Sequence, residues 1–105
     1  MSLAPALNRE ESRGLYADEQ LASALAYYRG GRYDRAGTIY KKVLKKEPEN
    51  VGALHMLGLI AQKNGRGERA VQLLIKAAKL DASRPEILCD LGNAFKSLGR
   101  HKDAI

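Results

Sequence analysis

Apolar and small residues recur along this chain at the spacing of helices that bury one face. Leu54, Leu57 and Ala61 follow one another at intervals of three and four residues, and Ala70 and Leu74 repeat the longer interval in the next segment. Such spacing places side chains on one side of an α-helix. The pattern predicts an all-α fold with helices at 18–30, 33–47, 51–64, 67–80 and 84–98, and a further helix starting at residue 101.

The helices are related by a period of 34 residues, because shifting the sequence by that amount superposes like on like. Three aligned sets of small residues show the period most clearly: Ala24, Gly58 and Gly92; Gly31, Gly65 and Gly99; and Ala36, Ala70 and Ala104. Glycine in the second set suits the left-handed turn that follows a helix end. We therefore expect hairpin turns at residues 29–32, 64–67 and 98–100.

The small residues of the other two sets predict where paired helices come closest, since axes about 8–10 Å apart leave little room for large side chains. Larger apolar residues are expected to fill the space beside these contacts: Tyr27, Tyr40, Leu57, Leu74, Leu91 and Phe95. Asn50 is expected to cap the helix that follows it, and Ser83 is expected to form a capping box with Glu86.

These features resemble the tetratricopeptide repeat family, whose unit carries Trp-x2-Leu-Gly-x2-Tyr, then Ala-x3-Phe, then Pro. The units are assigned to residues 17–50, 51–84 and, truncated, 85–105. The matching residues are Tyr27, Ala36, Tyr40 and Pro48 in the first unit, Leu54, Leu57, Gly58, Ala70 and Leu74 in the second, and Leu88, Leu91, Gly92, Phe95 and Ala104 in the third. The resemblance implies antiparallel helical hairpins stacked as a right-handed solenoid, with two complete repeats and a truncated third.

Residues 1–16 precede the repeats and are expected to form an N-terminal leader, whose first residues fit an expression-vector remnant. The sequence stops inside the second helix of the third unit, where a repeat protein normally has a polar capping helix. The chain is therefore expected to be a fragment of a larger polypeptide. Residues 91–105 are similar to repeats of bacterial multidomain proteins, including O-linked N-acetylglucosamine transferase-like proteins, in which such repeats precede a transferase domain.

The resemblance also implies where a partner would bind. In this family the first helices of successive units line a concave groove. The corresponding positions here are Leu21, Leu25, Tyr28, Arg29, His55, Leu59, Gln62, Lys63, Cys89, Asn93 and Lys96. The apolar members would anchor a peptide or protein segment, and Arg29, Lys63 and Lys96 would form a basic strip for its acidic groups. The family's clamp for a C-terminal carboxylate is disfavoured, because Leu21 and Leu25 replace its lysine and asparagine.

A simpler alternative leaves Leu21 and Leu25 packed against the leader and the basic side chains in solvent. Charge keeps a further alternative open, since 18 Lys and Arg against 12 Asp and Glu give a net charge of +6. Lys41, Lys42, Lys45 and Lys46 lie on one side of a helix, which suits a solvated face or a nucleic-acid scaffold. Nucleic acid is disfavoured, because no aromatic residues are interleaved to stack on bases. A spacer or dimerisation region for a transferase is the remaining alternative.

His55 and Cys89 occupy the same repeat position, so we expect them to be neighbours in the groove. Two potential ligands are fewer than a zinc site uses, and no third group orients the imidazole for catalysis. We therefore predict a binding module that is not an enzyme and needs no metal or cofactor. The single cysteine excludes an intrachain disulfide, which suits a cytoplasmic location. No apolar run approaches the roughly 18 residues of a membrane span, so no membrane partner is expected.

Truncation leads to one further expectation. Leu88, Leu91, Phe95 and Leu98 lie on a helix whose covering partner is missing from the sequence, which would leave apolar surface exposed. We therefore expect the chain to self-associate through its C-terminal end.

Overall fold

The computed structural model describes residues 9–103, with side chains over residues 17–99, and within these limits it contains five α-helices and no strand. The helices are α1 (Arg9–Arg29), α2 (Tyr33–Lys46), α3 (Val51–Lys63), α4 (Gly67–Leu80) and α5 (Pro85–Asp103). α1 packs against α2 and α3 against α4, while α2 contacts α3 and α4 contacts α5. The predicted all-α stack of helical hairpins is therefore confirmed.

The two hairpin turns have the same backbone structure. Gly31 and Gly65 adopt φ angles of 78° and 76°, in the left-handed region that glycine enters at least cost. After each glycine, the next amide donates to a carbonyl in the preceding helix, from Arg32 N to Tyr27 O and from Arg66 N to Ala61 O, both at 2.8 Å. These hydrogen bonds are those of a Schellman motif. The glycine register therefore positions both turns as predicted.

The two predicted helix caps had different outcomes. The Asn50 side chain accepts a hydrogen bond from Ala53 N at 2.9 Å, which confirms it as the cap of α3. The predicted capping box at Ser83 is wrong. Ser83 donates its amide (3.1 Å) and its hydroxyl (2.5 Å) to Asp81 Oδ1. Asp81 is a local acceptor two residues away and holds Ser83 in an Asx-type turn just before α5.

The core is built from small residues at the helix contacts with larger side chains beside them. Ala24, Ala36 and Ala70 are fully buried, as are the larger Tyr40 and Leu74. A first cluster joins α1, α2, α3 and α4 and also includes Ile87 of α5, and a second cluster joins α4 to α5. The alternation of small and large residues therefore positions α1 to α4 as the sequence predicts.

Both end helices differ from their predicted limits. α1 begins at Arg9, inside the segment predicted as a leader, because most of residues 9–17 are the good helix formers Arg, Glu, Leu and Ala. α5 runs to Asp103, so the turn predicted at residues 98–100 and the separate helix from residue 101 are wrong. No described atom outside the helix lies within 4 Å of a Cβ atom added at Gly99, so no packing contact there favours a turn over continued helix. Residues 1–8, Ala104 and Ile105 lie outside the described residues.

The outer face of α5 is only partly as predicted. Leu88 and Phe95 are each 51% exposed, so Phe95 does not fill the core. Leu91 and Leu98, which were expected to be uncovered, pack instead against the cluster between α4 and α5. The side chain of Leu98 lies over Gly67 at the start of α4. No helix among the described residues combines the length and apolar character needed to cross a membrane.

Candidate functional site

The predicted groove residues lie on the first helix of each repeat, namely α1, α3 and α5. On α3, His55, Leu59 and Gln62 follow one another at helical spacing and are half-buried. At 3.6 residues per turn they lie on the opposite side of the helix from the buried Leu57 and Ile60. One face of α3 therefore belongs to the core, and the predicted binding positions share the other face.

A hydrogen bond joins this face of α3 to α5. His55 Nε2 lies 2.6 Å from Asp90 Oδ2, and the two side chains retain 13% and 29% of their exposure. Asp90 adjoins the predicted groove residue Cys89 in sequence, so the bond holds the corresponding faces of α3 and α5 side by side. The partner of His55 in the described structure is thus Asp90 and not Cys89, whose thiol is free and exposed.

The predicted residues of α1 divide into two kinds. Leu21 and Tyr28 pack against the core, and the ring of Tyr28 lies 5.3 Å from that of Tyr33 on α2 in a tilted arrangement. Leu25 is half-buried and stands outside both core clusters. Its equivalent on α3, Leu59, has the same character. These two leucines keep apolar surface that is available to a partner.

Tyr28 also affects the core directly beneath it. Burial raises the pKa of Tyr40, and the neighbouring phenol of Tyr28 raises it further. Tyr28 therefore lies at a predicted binding position and also packs between α1 and α2.

The predicted basic strip is exposed. Arg29 and Lys63 lie in the last turns of α1 and α3, where a cation complements the negative end of the helix dipole. Lys96 is exposed on α5. Asn93 is exposed on the same helix and completes the set of polar positions there. The face thus combines half-buried apolar residues with exposed cations.

The four lysines of α2 lie where the sequence places them. Lys41, Lys42 and Lys45 are exposed, while Tyr40 and Val43 of the same helix are buried. The helix is therefore basic on its outer side and apolar on its inner side.

Sequence reasoning missed one residue that shapes this face, Asp90. It stands 35 residues after His55, one step beyond the 34-residue period. Comparing each residue with those 33 and 35 positions away, as well as with the one 34 positions away, would have paired His55 with Asp90. Among the described residues, no three His, Cys, Asp or Glu side chains are grouped so as to hold a metal ion.

Comparison with known proteins adds the family context. A sequence model of the tetratricopeptide repeat matches residues 27–88. Human tetratricopeptide repeat protein 13 is 29% identical to the chain over 93 residues, which cover 84% of this chain and 11% of that protein.

Two solved structures share the fold. The O-GlcNAc transferase of Thermobaculum terrenum, solved as a K341M mutant, matches with a TM-score of 0.79 and 28% identity over 85% of this chain and 16% of that one. The second TPR of Spaghetti (RPAP3), bound to the HSP90 peptide SRMEEVD, matches with a TM-score of 0.76 and 21% identity over 90% of this chain and 89% of that one. The chain therefore spans only a small part of its human relative and of the transferase.

Proposed function

Because this chain belongs to the tetratricopeptide repeat family, we propose that it binds a segment of another protein on the face formed by α1, α3 and α5. Repeats of this family are typically non-catalytic protein–protein interaction modules. The observation that carries the proposal is the pair Leu25 and Leu59, which occupy one repeat position, remain half-buried and belong to neither core cluster. Apolar side chains held at the surface by a rigid scaffold are suited to anchor a partner.

The charge on this face indicates the chemistry of the segment. Arg29, Lys63 and Lys96 are exposed and favour a ligand with acidic groups. The positions at which this family clamps a C-terminal carboxylate are Leu21 and Leu25 here, and Leu21 packs on the core. The ligand we propose is therefore an internal segment with apolar anchors and acidic neighbours, rather than a chain terminus.

The test uses peptides selected from a displayed random library on the immobilised chain. Their affinity is then measured by fluorescence anisotropy for the wild type, for Leu59→Ser and for Leu80→Ser. Leu80 is 39% exposed at the end of α4, away from the proposed face, and provides a matched control. Loss of a buried leucine contact should weaken binding about tenfold for Leu59→Ser, while Leu80→Ser should change affinity less than about twofold. Peptides that bind equally well to both variants would argue against this face.

A nucleic-acid scaffold remains the alternative, because Lys41, Lys42 and Lys45 expose their charges on the outer side of α2. Salt separates the two functions. Affinity for a nucleic acid falls steeply with salt as counterions are released, whereas a peptide held by apolar anchors is much less sensitive. The selected peptides and an oligouridylate are therefore titrated over a range of sodium chloride concentrations.

We also propose that the exposed face of α5 mediates self-association, since Leu88 and Phe95 are each about half exposed. Sedimentation of the wild type should show concentration-dependent dimers that are lost on replacing both residues with serine. A strict monomer at high concentration would contradict this proposal. A cytoplasmic location stays a prediction from the sequence.

A further inference from the structure

A second groove lies on the other side of the molecule, between α2 and α4. It has a volume of about 630 Å³, and α3 forms its floor through Leu57, Ile60 and Ala61. These floor residues occupy the face of α3 opposite to His55 and Leu59. This groove is therefore distinct from the face proposed above.

One small residue leaves the floor of the groove without a side chain above it, although Leu57 and Ile60 themselves are only 7% and 5% exposed. Gly37 of α2 lines the groove, and a Cβ atom added there would lie 3.9 Å from both the Ile60 Cγ2 and the Leu57 Cδ2 atoms, in ordinary contact. The residue one period later, Val71, has a side chain that packs in the cluster between α4 and α5. The groove between α2 and α4 thus has an empty space at Gly37, whereas the Val71 side chain fills the corresponding space between α4 and α5.

Cations line both walls of this groove. Lys41 and Lys45 stand on α2, Arg66 precedes α4, and Arg69 lies in its first turn. All four side chains are exposed, and within residues 17–99 none of them forms a salt bridge. Asp34 is the one carboxylate that lines the groove in the part of the chain described. Four cations against one carboxylate leave a local excess of three positive charges beside an apolar floor.

The combination of an apolar floor with basic walls favours a polypeptide over a nucleic acid. A phosphate backbone would satisfy the cations but would leave the partly buried Leu44 on the α2 wall without an apolar contact in the groove, and Asp34 would repel it. Tyr33 is the one aromatic residue among the described lining residues, which is too few for a row of stacked bases. A helix or extended segment can present leucine-like side chains to the apolar lining residues and carboxylates to the cations, where arginine binds a carboxylate with two parallel hydrogen bonds.

We infer that the groove between α2 and α4 docks an acidic amphipathic segment of a partner protein, as a second interaction surface independent of the α1–α3–α5 face. Apolar side chains of the segment contact Tyr33 and Leu44, the partly buried apolar residues that line the groove on α2. Its carboxylates pair with Lys41 and Lys45 on one wall and with the two arginines on the other. This arrangement would let one chain hold two partners on opposite sides.

The test uses a fluorescein-labelled synthetic peptide of alternating Glu-Glu and Leu-Leu pairs, titrated against the whole chain. Two double variants with the same change of charge on the same two helices are compared. Lys41→Glu with Arg69→Glu reverses one cation on each wall, while Lys42→Glu with Lys76→Glu reverses exposed cations outside the groove. The first should lose about tenfold or more in affinity and the second less than about threefold, because close charge pairs contribute far more than distant ones. Circular dichroism verifies that both variants remain helical.

Four further results would overturn the inference. Equal losses from the two double variants would show a general charge effect. Equal binding of a peptide with serine in place of leucine would show that the peptide makes no apolar contact in the groove. Loss of the peptide on replacing Leu59 with serine would place it on the other face. An oligouridylate that binds more tightly than the peptide, and loses affinity in the wall variant, would identify a nucleic-acid groove instead.

Discussion

The same residue pattern meets two different environments on α3 and α5. Leu57 and Gly58 of α3 return one period later as Leu91 and Gly92 of α5. On α3, a Cβ atom added at Gly58 would come within 2.8 Å of the Cγ atom of Leu74 on α4. On α5, no described atom outside the helix lies within 4 Å of a Cβ atom added at Gly92.

The difference shows that the 34-residue repeat fixes where a small residue stands, whereas a neighbouring helix decides whether that residue has to be small. The register gives each first helix a small residue at the place where a second helix can approach. On α3 that helix is α4, and the glycine is required by contact. On α5 the same place is open, Phe95 nearby is exposed, and the helix is held on its other side by the buried Ile87 and Ala94. A glycine that is necessary in one repeat is therefore only a weak helix former in the next.

Replacing Leu74 with alanine should cause the largest loss. The side chain is fully buried between α3 and α5, so removing it leaves a cavity and should lower the free energy of unfolding by about 2–5 kcal/mol. At protein concentrations low enough to dissociate the proposed dimer, Phe95→Ala on the exposed face of α5 should cost only about 0.5 kcal/mol. Urea denaturation followed by circular dichroism measures both values. Similar losses for the two variants would show that the α5 face is covered in solution, as in a dimer.

Alanine at the two glycines should change stability in opposite directions. Gly58→Ala should be destabilising, since overpacking costs about 1–3 kcal/mol and the gain in helix propensity offsets only about 1 kcal/mol. Gly92→Ala has open space and should stabilise by up to about 1 kcal/mol. Both are measured as shifts of the urea midpoint.

Leu74→Ala combined with Gly58→Ala sharpens this prediction. Removing the obstructing side chain should make alanine tolerable at position 58, so the two effects should not add. The same sign of change at both glycines, or strict additivity in the double variant, would contradict the packing described here.

Much of the fold could be predicted because short-range rules and the period act together. Gly31 and Gly65 adopt the left-handed backbone of their turns, and in each case the following helix packs back against the preceding one. Tyr40 and Leu74 are buried because both stand at the apolar positions of helices that have partners. The same rules failed at Gly99, where a turn would need a following helix to pack against, and the helix simply continues.

The candidate site could be predicted only in outline. The family pattern places Leu25 and Leu59 on one face, and the structure leaves both half-buried there. It did not indicate that Asp90 would hold His55, because that contact joins different positions of neighbouring repeats. The groove between α2 and α4 depends on Gly37, whose effect appears only once α3 lies beneath it. Contacts between repeats are the part that sequence periodicity does not specify.

The bond between His55 and Asp90 links the two regions compared above, so removing it should loosen α5 more than α3. Asp90→Ala should cost about 1 kcal/mol, the usual net value of a hydrogen bond. Asn93→Ala, an exposed change on the same helix, should cost almost nothing. Amide hydrogen exchange should show faster exchange in α5 for the first variant alone. A cost for Asp90→Ala that persists in a His55→Ala background would mean that the pair is not its source.

The smallest expected effect concerns Asp81, which stands at the corner between α4 and α5. Its carboxylate accepts hydrogen bonds from Ser83 and from Arg84 Nε, the latter at 2.9 Å. The hydrogen bonds from Ser83, and after them Arg84, hold the pKa of Asp81 below its ordinary value of 3.8. A lowered carboxyl pKa stabilises the fold above that ordinary value, and the stabilisation is lost as the pH falls through the folded pKa. Because the Asp81 side chain is partly exposed to solvent, the effect should be small and confined to the start of α5. An NMR titration of the Ser83 and Ile87 amides should show an acid transition below pH 3.8 in the wild type. The transition should be absent in Asp81→Asn, which keeps an acceptor oxygen but has no charge to lose. If the same transition appears in that variant, another carboxyl group governs the corner, and the coupling of α5 to the stack then rests on its apolar contacts and on the hydrogen bond between His55 and Asp90.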